Sequence, residues 1–453
     1  MTHLHRSPLF RAALLSPLAA AVMALSAPAQ AQNLQTLYEA ARGFDATYLG
    51  AVAQADSARA KADQAQALIL PSVGLSAGLS RSEADTPYSS TRSTDTTSRA
   101  ITLSAQQSLF NRTNGLTIDQ AERAVSVAQA QLAAAEQDLI VRVSQAYFDV
   151  LAATDALGTV QANKKAAAEQ LASAKRNFEV GTATITDTRE AQAKYDLVLA
   201  QELVAENDLR VKQLALEQTV GQSGLKPAPL ALPVALPPVQ PAQIDTWVQT
   251  ADDNNTSVRQ ARLALDVAKL ETEKARAGHL PTVGLTGSYG KNKVSVSGDT
   301  AVAPYSISGT GTNAAVAVTL NVPLFAGFAT QNRIKETLLL EDKARYDLEG
   351  ARRSVSQGAR SAFLGVQSGL AQVKALEAAE SSTKLALEAT QLGYKVGVRV
   401  NLDVLNAQTQ LFQTQRDLAK ARYDVVMGGL KLRQAAGQLT AQDVQNINAL
   451  LAR

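Results

Sequence analysis

"YKVGVRVNLDVLNAQTQ" (residues 394–410) has an earlier counterpart in the same chain, "FEVGTATITDTREAQAK" (178–194). Gly397 minus Gly181, Asp403 minus Asp187, Ala407 minus Ala191 and Gly437 minus Gly221 all equal 216. The register holds without a gap and extends backward, since Ala146-Tyr147 falls on Ala362-Phe363 and Ile118 on Ile334. Further upstream "LPSVGL" (70–75) answers "LPTVGL" (280–285) at an offset of 210, so the halves differ by a few inserted residues. A period this long is unlike a solenoid repeat of about 20 to 50 residues. It predicts two copies of one structural unit, residues 32–221 and 246–437.

Four segments alternate strictly. In "PSVGLSAGLS" (71–80) Val73, Leu75, Ala77 and Leu79 point one way, and Gly74, Ser76, Gly78 and Ser80 the other. "AITLSAQQSLF" (100–110) sets Ile101, Leu103, Ala105 and Leu109 against Thr102, Ser104, Gln106 and Ser108. The second half repeats this with Val283, Leu285 and Tyr289, and with Val316, Val318, Leu320 and Val322. Segments of about ten residues with an apolar and a small or polar face fit membrane strands turned to lipid outside and water inside. We expect strands over about 71–82, 99–110, 281–291 and 313–325, with polar hairpin loops at Arg81 to Arg99 and Lys291 to Asn313. Pro71 and Pro281 stand where helical pattern gives way to strand. A soluble hairpin with one wet face is the competing reading of any single pair.

Between the strands the chain is rich in strong helix formers. From about Asn111 to Phe178 there is no Pro, and the interior glycines are Gly115 and Gly158. One helix over that run has a length on the order of 100 Å, and its counterpart runs from about Ala329 to Tyr394. After the second copy of the opening motif, Leu411, Leu418, Val425 and Leu432 recur at sevens, as do Leu405, Phe412, Ala419 and Val426. Two adjacent heptad stripes predict supercoiled packing against neighbours on two sides. "GLKPAPLALPVALPPVQPAQ" (224–243) holds six prolines and predicts an extended connector over 222–245. The segment 438–453 predicts one short helix.

The N-terminus has the form of a secretory signal peptide: Arg6 and Arg11, an apolar run, then Ala29-Gln30-Ala31 as a cleavage site. Residues 1–31 are expected to be removed, which takes two Arg and no acid from a net charge of +3 and leaves +1. That balance offers no electrostatic case for nucleic acid. The chain has no Cys, so neither disulfides nor a lipidated cysteine are available. His279 is the one His beyond the signal, which excludes a Cys/His metal cluster within one chain and leaves a hydrolytic triad a single candidate base. "SGTGT" (308–312) lacks the strand and helix flanks of a nucleotide loop. No cofactor, metal or enzyme activity is expected. No run long enough for a membrane-spanning helix follows the signal, so any membrane contact falls to the strands.

Four strands do not close a membrane barrel, because the smallest have about eight and lipid tolerates no open edge. Two copies give eight strands, with an interior that side chains fill; three give twelve, wide enough for a channel. Small inward residues such as Gly74, Ser76, Gly78 and Ser104 favour an open bore. The competing reading is a structural coiled-coil protein of the envelope without pore activity, which leaves the strands unexplained.

Over the whole mature sequence the chain resembles the TolC family of outer-membrane channels, most clearly at "FEVGTATITDTREAQAKYDLVLAQ" and "GYKVGVRVNLDVLNAQTQLFQTQRDLAKARYD". The resemblance implies a homotrimer with a twelve-stranded β-barrel in the outer membrane and a long periplasmic α-helical barrel. It also implies an equatorial belt including the connector and residues 438–453. As the family implies, such a trimer is a passive exit duct for efflux or type I secretion. Its partners are outer-membrane lipid, a periplasmic adaptor and an inner-membrane transporter of RND, ABC or MFS type. Whether drugs or secreted proteins pass is left open.

The opening motif then builds the two helix turns at the end far from the membrane. Gly181 and Gly397 supply the backbone freedom for the turns, and Thr186 with Asp187, like Asn401 with Asp403, stand where a helix restarts, as N-caps do. The resemblance adds a second role, a periplasmic gate in which Arg399 and Tyr394 of one turn bond Thr186 and Asp187 of the other. It also places Asp403 in a threefold entrance ring. The family's second acidic ring falls on Asn406, so weaker block by multivalent cations is expected here.

Overall fold

The computed structural model describes residues 32–85, 91–231, 236–300 and 302–452. The expected signal peptide lies outside them. The chain separates into two units, one from residues 50–134 and 256–355, the other from the residues up to 49, 135–255 and 356 onward.

The first unit carries β1 (Ser72–Asp85), β2 (Thr91–Phe110), β3 (Thr282–Thr300) and β4 (Pro304–Asn321), an antiparallel meander in the order β1-β2-β3-β4. The register sets Leu75 beside Leu103, Tyr289 and Ala314, and Val73 beside Ala105, Gly287 and Val316. Paired residues share a face, so the large apolar residues of 73–79, 101–107, 283–289 and 316–320 form one band, while Val294, Val296 and Ile307 lie on the other face. The opposite face holds Gly74, Ser104, Ser288 and Ala315, then Ser76, Thr102, Gly290 and Asn313. The apolar band is uncovered: Leu75 is 73% and Val316 81% exposed. β1 and β4 each present an edge with no partner strand among the described residues.

The strands extend beyond the expected limits. The ladder of β1 and β2 continues from Arg81↔Thr97 to Asp85↔Ser93, and that of β3 and β4 from Lys291↔Thr312 to Asp299↔Pro304. The segments read as polar loops are therefore largely paired strand. These extensions are rich in Ser, Thr, Gly and charged residues, and their alternating stretch, Val294 and Val296 of β3, points to the face opposite the apolar band, so the composition reads as loop although the backbone bonds continue.

Two helices pack in this unit, α2 (Ala46–Gln66) and α6 (Thr256–Ala277). Ala55 and Ala58 meet Ala128, and Val258 and Leu265 meet Leu348. Alanine at these contacts lets helix backbones approach closely.

The long helices are α3 (Arg112–Glu179, 68 residues), α4 (Ile185–Val220, 36), α7 (Ala329–Lys395, 67) and α8 (Asn401–Ala435, 35). Shorter ones are α1 (Leu34–Arg42), α5 (Ile244–Asn254) and α9 (Ala441–Asn448), the last being the expected C-terminal helix. In the second unit Tyr147, Phe148, Leu139, Ile140 and Val143 of α3, Leu34 and Leu37 of α1, and Leu216 and Val220 of α4 are fully buried. Each such side chain contributes roughly 1.5–3 kcal/mol relative to exposure. Phe148 lies between Tyr147 (centroids 5.4 Å, edge-on) and Tyr423 (5.7 Å). Tyr423 donates to Asp155 at 2.6 Å, and burial together with that carboxylate pushes its phenol well above the usual range. Leu418, Val425 and Leu432, from the first heptad stripe of α8, pack with Trp247, Phe363, Val366 and Val373.

The connector is extended where described, and it is anchored. Tyr147 donates to the Ala228 carbonyl at 2.8 Å, and Gln32 forms a bridge with Pro227. Leu230 bridges Leu451, and the Trp247 indole donates to the Pro241 carbonyl at 2.8 Å. These bonds satisfy polar groups that are otherwise costly to bury. Beside them Arg142 grips Asp45 through two hydrogen bonds of 2.7 and 2.9 Å, while the Tyr48 N–H caps the same carboxylate at 2.8 Å.

Gly221 and Gly437, one period apart, close α4 and α8 with φ of 75° and 70°. A Cβ on Gly437 would lie 2.3 Å from the Asn254 carbonyl oxygen at the end of α5. Gly437→Ala meets both a left-handed backbone and a backbone clash, and is expected to cost about 2–4 kcal/mol. A lowered melting temperature of the detergent-solubilised protein, beside an unchanged or slightly raised one for Gly158→Ala in open space within α3, is the expected result.

Candidate functional site

Both copies of the opening motif form the same helix stop. In the first turn the Gly181 N–H donates to Phe178 O (3.0 Å) and the Thr182 N–H to Asn177 O (2.8 Å). In the second, Gly397 donates to Tyr394 O (3.1 Å) and Val398 to Gly393 O (2.9 Å). This is a Schellman stop, which needs a left-handed residue at its centre. Gly181 and Gly397 meet that need with φ of 76° and 82°.

The two restarts differ. Thr184, not Thr186, is the N-cap of α4. Its Oγ1 accepts from the Asp187 N–H at 3.2 Å, and Asp187 Oδ2 accepts from the Thr184 N–H at 2.9 Å, a closed capping box. Asp187 thus serves as a capping residue, while Thr186 is exposed beside it. In the second turn Val400 occupies the cap position and has no side-chain oxygen to offer. Asp403, at the place matching Asp187, instead faces Arg399 at 3.6 Å. Both side chains are more than a third exposed, so the pair is worth at most about 1 kcal/mol.

Asn401 is not a cap. It is the first residue of α8 and is fully buried, its Nδ2 donating to the Asp187 carbonyl at 3.3 Å and its Oδ1 accepting from Gln170 of α3. Asn401 therefore joins the second turn to the first. Sequence reasoning placed it among the caps because Asn is a preferred N-cap, and its offset partner Ile185 gave no sign of a buried amide. Arg399 also packs its stem on Gly393, where an added Cβ would lie 2.9 Å from Arg399 Cγ.

Tyr394 and Asp403 are half-buried, and Asn406 is exposed on α8. Among the described residues of one chain, no hydrogen bond or ion pair joins Arg399 or Tyr394 to Thr186 or Asp187. The nearest substitute is the Arg399–Asp403 pair within the second turn. No group of His, Asp and Glu among the described residues is arranged to hold a metal.

The comparisons with known proteins agree with this architecture. The family model described as "Outer membrane efflux protein" matches residues 28–222 and 247–438, one match on each half. "Outer membrane protein TolC" of Vibrio cholerae is 36% identical over 444 residues, covering 98% of this chain and 97% of that protein. TolC of Escherichia coli is 32% identical, covering 94% and 87%. "Alkaline protease secretion protein AprF" of Pseudomonas aeruginosa is 31% identical, covering 91% and 86%. The crystal structure of VceC from Vibrio cholerae superposes with a TM-score of 0.75 at 20% identity, covering 89% of this chain and 96% of that one. At that identity it speaks for the fold alone. The chain belongs to the outer membrane efflux protein family, as a TolC-type outer-membrane channel protein reaching into the periplasm.

Proposed function

We propose that three copies close their sheets into one twelve-stranded barrel, continued by a periplasmic helical barrel. The trimer is the passive duct through which an inner-membrane transporter of RND, ABC or MFS type, joined by a periplasmic adaptor, exports its cargo. The uncovered apolar band between two open sheet edges carries this reading, because in lipid an open edge leaves backbone groups unpaired.

The helices supply a second support. On α4, Leu197, Val204 and Val211 are exposed and seven residues apart; on α7, Leu364, Leu385 and Leu392 are exposed in one heptad register. Among the described residues of one chain these seams lie uncovered, and α4 of one copy against α7 of the next gives each the other. Strand edges and helix seams alike require a neighbouring copy on each side, as a closed ring supplies.

At the entrance, Arg399 and Tyr394 of each copy reach Thr186 and Asp187 of the neighbouring one, forming the resting gate. Asp403 lines the constriction as a threefold carboxylate ring, and Asn406 leaves the next level neutral.

Purified protein is expected to run as a trimer and to open discrete conductance steps in planar bilayers. Val204→Glu with Leu385→Glu buries like charges in the seams, and is expected to abolish both trimer and steps. A stable trimer that never conducts would instead favour a structural envelope protein.

A further inference from the structure

The sheet carries a group of cations at the limit of its apolar band nearer the hairpin tips. All four strands meet helical segments at one end, near Ser72, Phe110, Thr282 and Asn321, and the tips lie at the other. In a channel whose helices reach into the periplasm, the tips point out of the cell. The register sets Arg99 directly beside Lys293, between Leu79 and Thr310, and Lys291 beside Ile101 one row nearer the band. All three cations stand on the face of Leu75 and Val316. Val283 pairs with Leu320, and from that row to Lys293 the strand runs about 33 Å, or about 25 Å along the membrane normal at a tilt of about 40°. That is the height of the apolar band of a membrane barrel. The pair therefore stands where the acyl chains of the outer leaflet give way to headgroups.

Two observations point to an anionic ligand. The first is uncompensated charge. Like charges directly opposite on a sheet are destabilising, yet the side chains of Arg99, Lys291 and Lys293 form no hydrogen bond or ion pair with any described residue. The nearest carboxylates on this face among the described residues, Glu83 and Asp95, stand two rows farther out, about 13 Å along the strand. Asp95 is already bonded by Arg81 at 3.2 Å.

The second is shape. Arg99, Lys291 and Lys293 rim an open groove whose other walls include Ala77, Leu79 and Ile101. Leu79 and Ile101 are 72% and 58% exposed. An apolar floor with a cationic rim complements an amphiphile that lays its chains on the floor and its anionic head at the rim. Arg offers phosphate a planar fork and Lys a point charge. Three positive charges on adjacent rows exceed what the single charge of one phosphodiester balances. Because β2 and β3 are the inner strands of the sheet, the three cations come from one copy, whatever closes the edges of β1 and β4.

We propose that Arg99, Lys291 and Lys293 bind the headgroup of an outer-leaflet glycolipid that carries two phosphate groups, with its acyl chains on Leu79 and Ile101. The proposal rests on the channel function given above, which sets this face in lipid.

The test uses the full-length trimer in mild detergent, with lipid A bearing both phosphates as the probe. Its dephosphorylated form and phosphatidylethanolamine are the comparisons. By native mass spectrometry the parent is expected to retain the bisphosphorylated lipid several-fold more than either comparison. Arg99→Gln, Lys291→Gln and Lys293→Gln together are expected to lower that retention several-fold, with trimer and conductance as in the parent. Arg81→Gln, which removes a charge spent on Asp95, is expected to leave retention unchanged. Equal retention by parent and triple variant, equal retention of the dephosphorylated lipid by the parent, or an equal loss in Arg81→Gln overturns the proposal while the channel function stands. If the triple variant does not assemble, the parent decides: its melting temperature must rise more with the bisphosphorylated lipid than with the dephosphorylated one, and equal rises overturn the proposal. A parent that neither forms trimers nor conducts overturns the channel function, and this inference with it.

Discussion

Trimers carrying Arg399→Ser together with Tyr394→Phe will pass several-fold more current than the parent, and cells carrying them will leak dyes and large antibiotics. Among the described residues of its own chain Arg399 pairs with Asp403, at 3.6 Å and largely in solvent. A guanidinium has five donors, so the remaining ones are available to Thr186 and Asp187 of a neighbouring copy. In the proposed gate the Tyr394 hydroxyl would add one donor to the same carboxylate. Each exposed contact is worth roughly 0–1 kcal/mol. In the proposed trimer threefold symmetry multiplies it, and about 3 kcal/mol across three interfaces shifts a closed-to-open ratio on the order of a hundredfold. Removing Arg399 also unmasks Asp403, so the cation selectivity of the variant should rise together with its conductance. Because the contacts are wet, raising the salt concentration should weaken the parent gate and narrow the difference from the variant. Equal conductance of parent and variant in planar bilayers at low salt would remove Arg399 and Tyr394 from the gate.

Arg142→Ala will lower the stability of the helical unit by about 2–3 kcal/mol at neutral pH, the lower end for breaking a buried pair because the Arg142 side chain is 36% exposed. The loss comes from leaving Asp45, with a side chain 9% exposed, as a buried carboxylate stripped of its two guanidinium bonds. In the parent, hydrogen bonding from Arg142 holds the Asp45 carboxyl below its ordinary range, with help from the Tyr48 backbone. A depressed carboxyl contributes stability that is present above the unfolded value, near 3.9. That stability is lost as pH falls through the folded value. The melting-temperature gap between parent and Arg142→Ala should therefore be full at neutral pH and narrow once the pH drops below about 4. Asp138→Ala is the control, since that carboxylate bonds the same guanidinium at 2.7 Å from a half-exposed position. A gap that stays constant across this pH range would assign the destabilisation to lost packing of the Arg142 stem.

The channel architecture was largely legible from residues whose local preference agrees with their final environment. The strict alternation of Val73, Leu75, Leu103, Val316 and Val318 marks strands with one apolar face, and all stand on one face of the sheet. The glycines of the opening motif read as turns because a left-handed residue is needed at the centre of a Schellman stop, and both adopt it. The extent of the hairpins was not legible. Strand rich in Ser, Thr and Gly has the composition of a loop, and only the backbone pairing distinguishes them.

At the entrance the division is sharper. The repeat itself placed Gly181 and Gly397, Asp187 and Asp403, at matching positions, and the chain's own duplication accounts for two turns of one design. Which of the matched polar residues cap, pair or bridge was a tertiary outcome. Asp187 has a threonine three residues before it and closes a capping box; Asp403 has Val400 there and turns to Arg399. Asn401 matches a good cap in isolation, yet it is fully buried and spends its amide on Gln170 and on the Asp187 backbone. Capping is decided within four residues of chain and can be read from them. A bond between positions 170 and 401 depends on how two helices more than two hundred residues apart are brought together, and no local pattern encodes that distance.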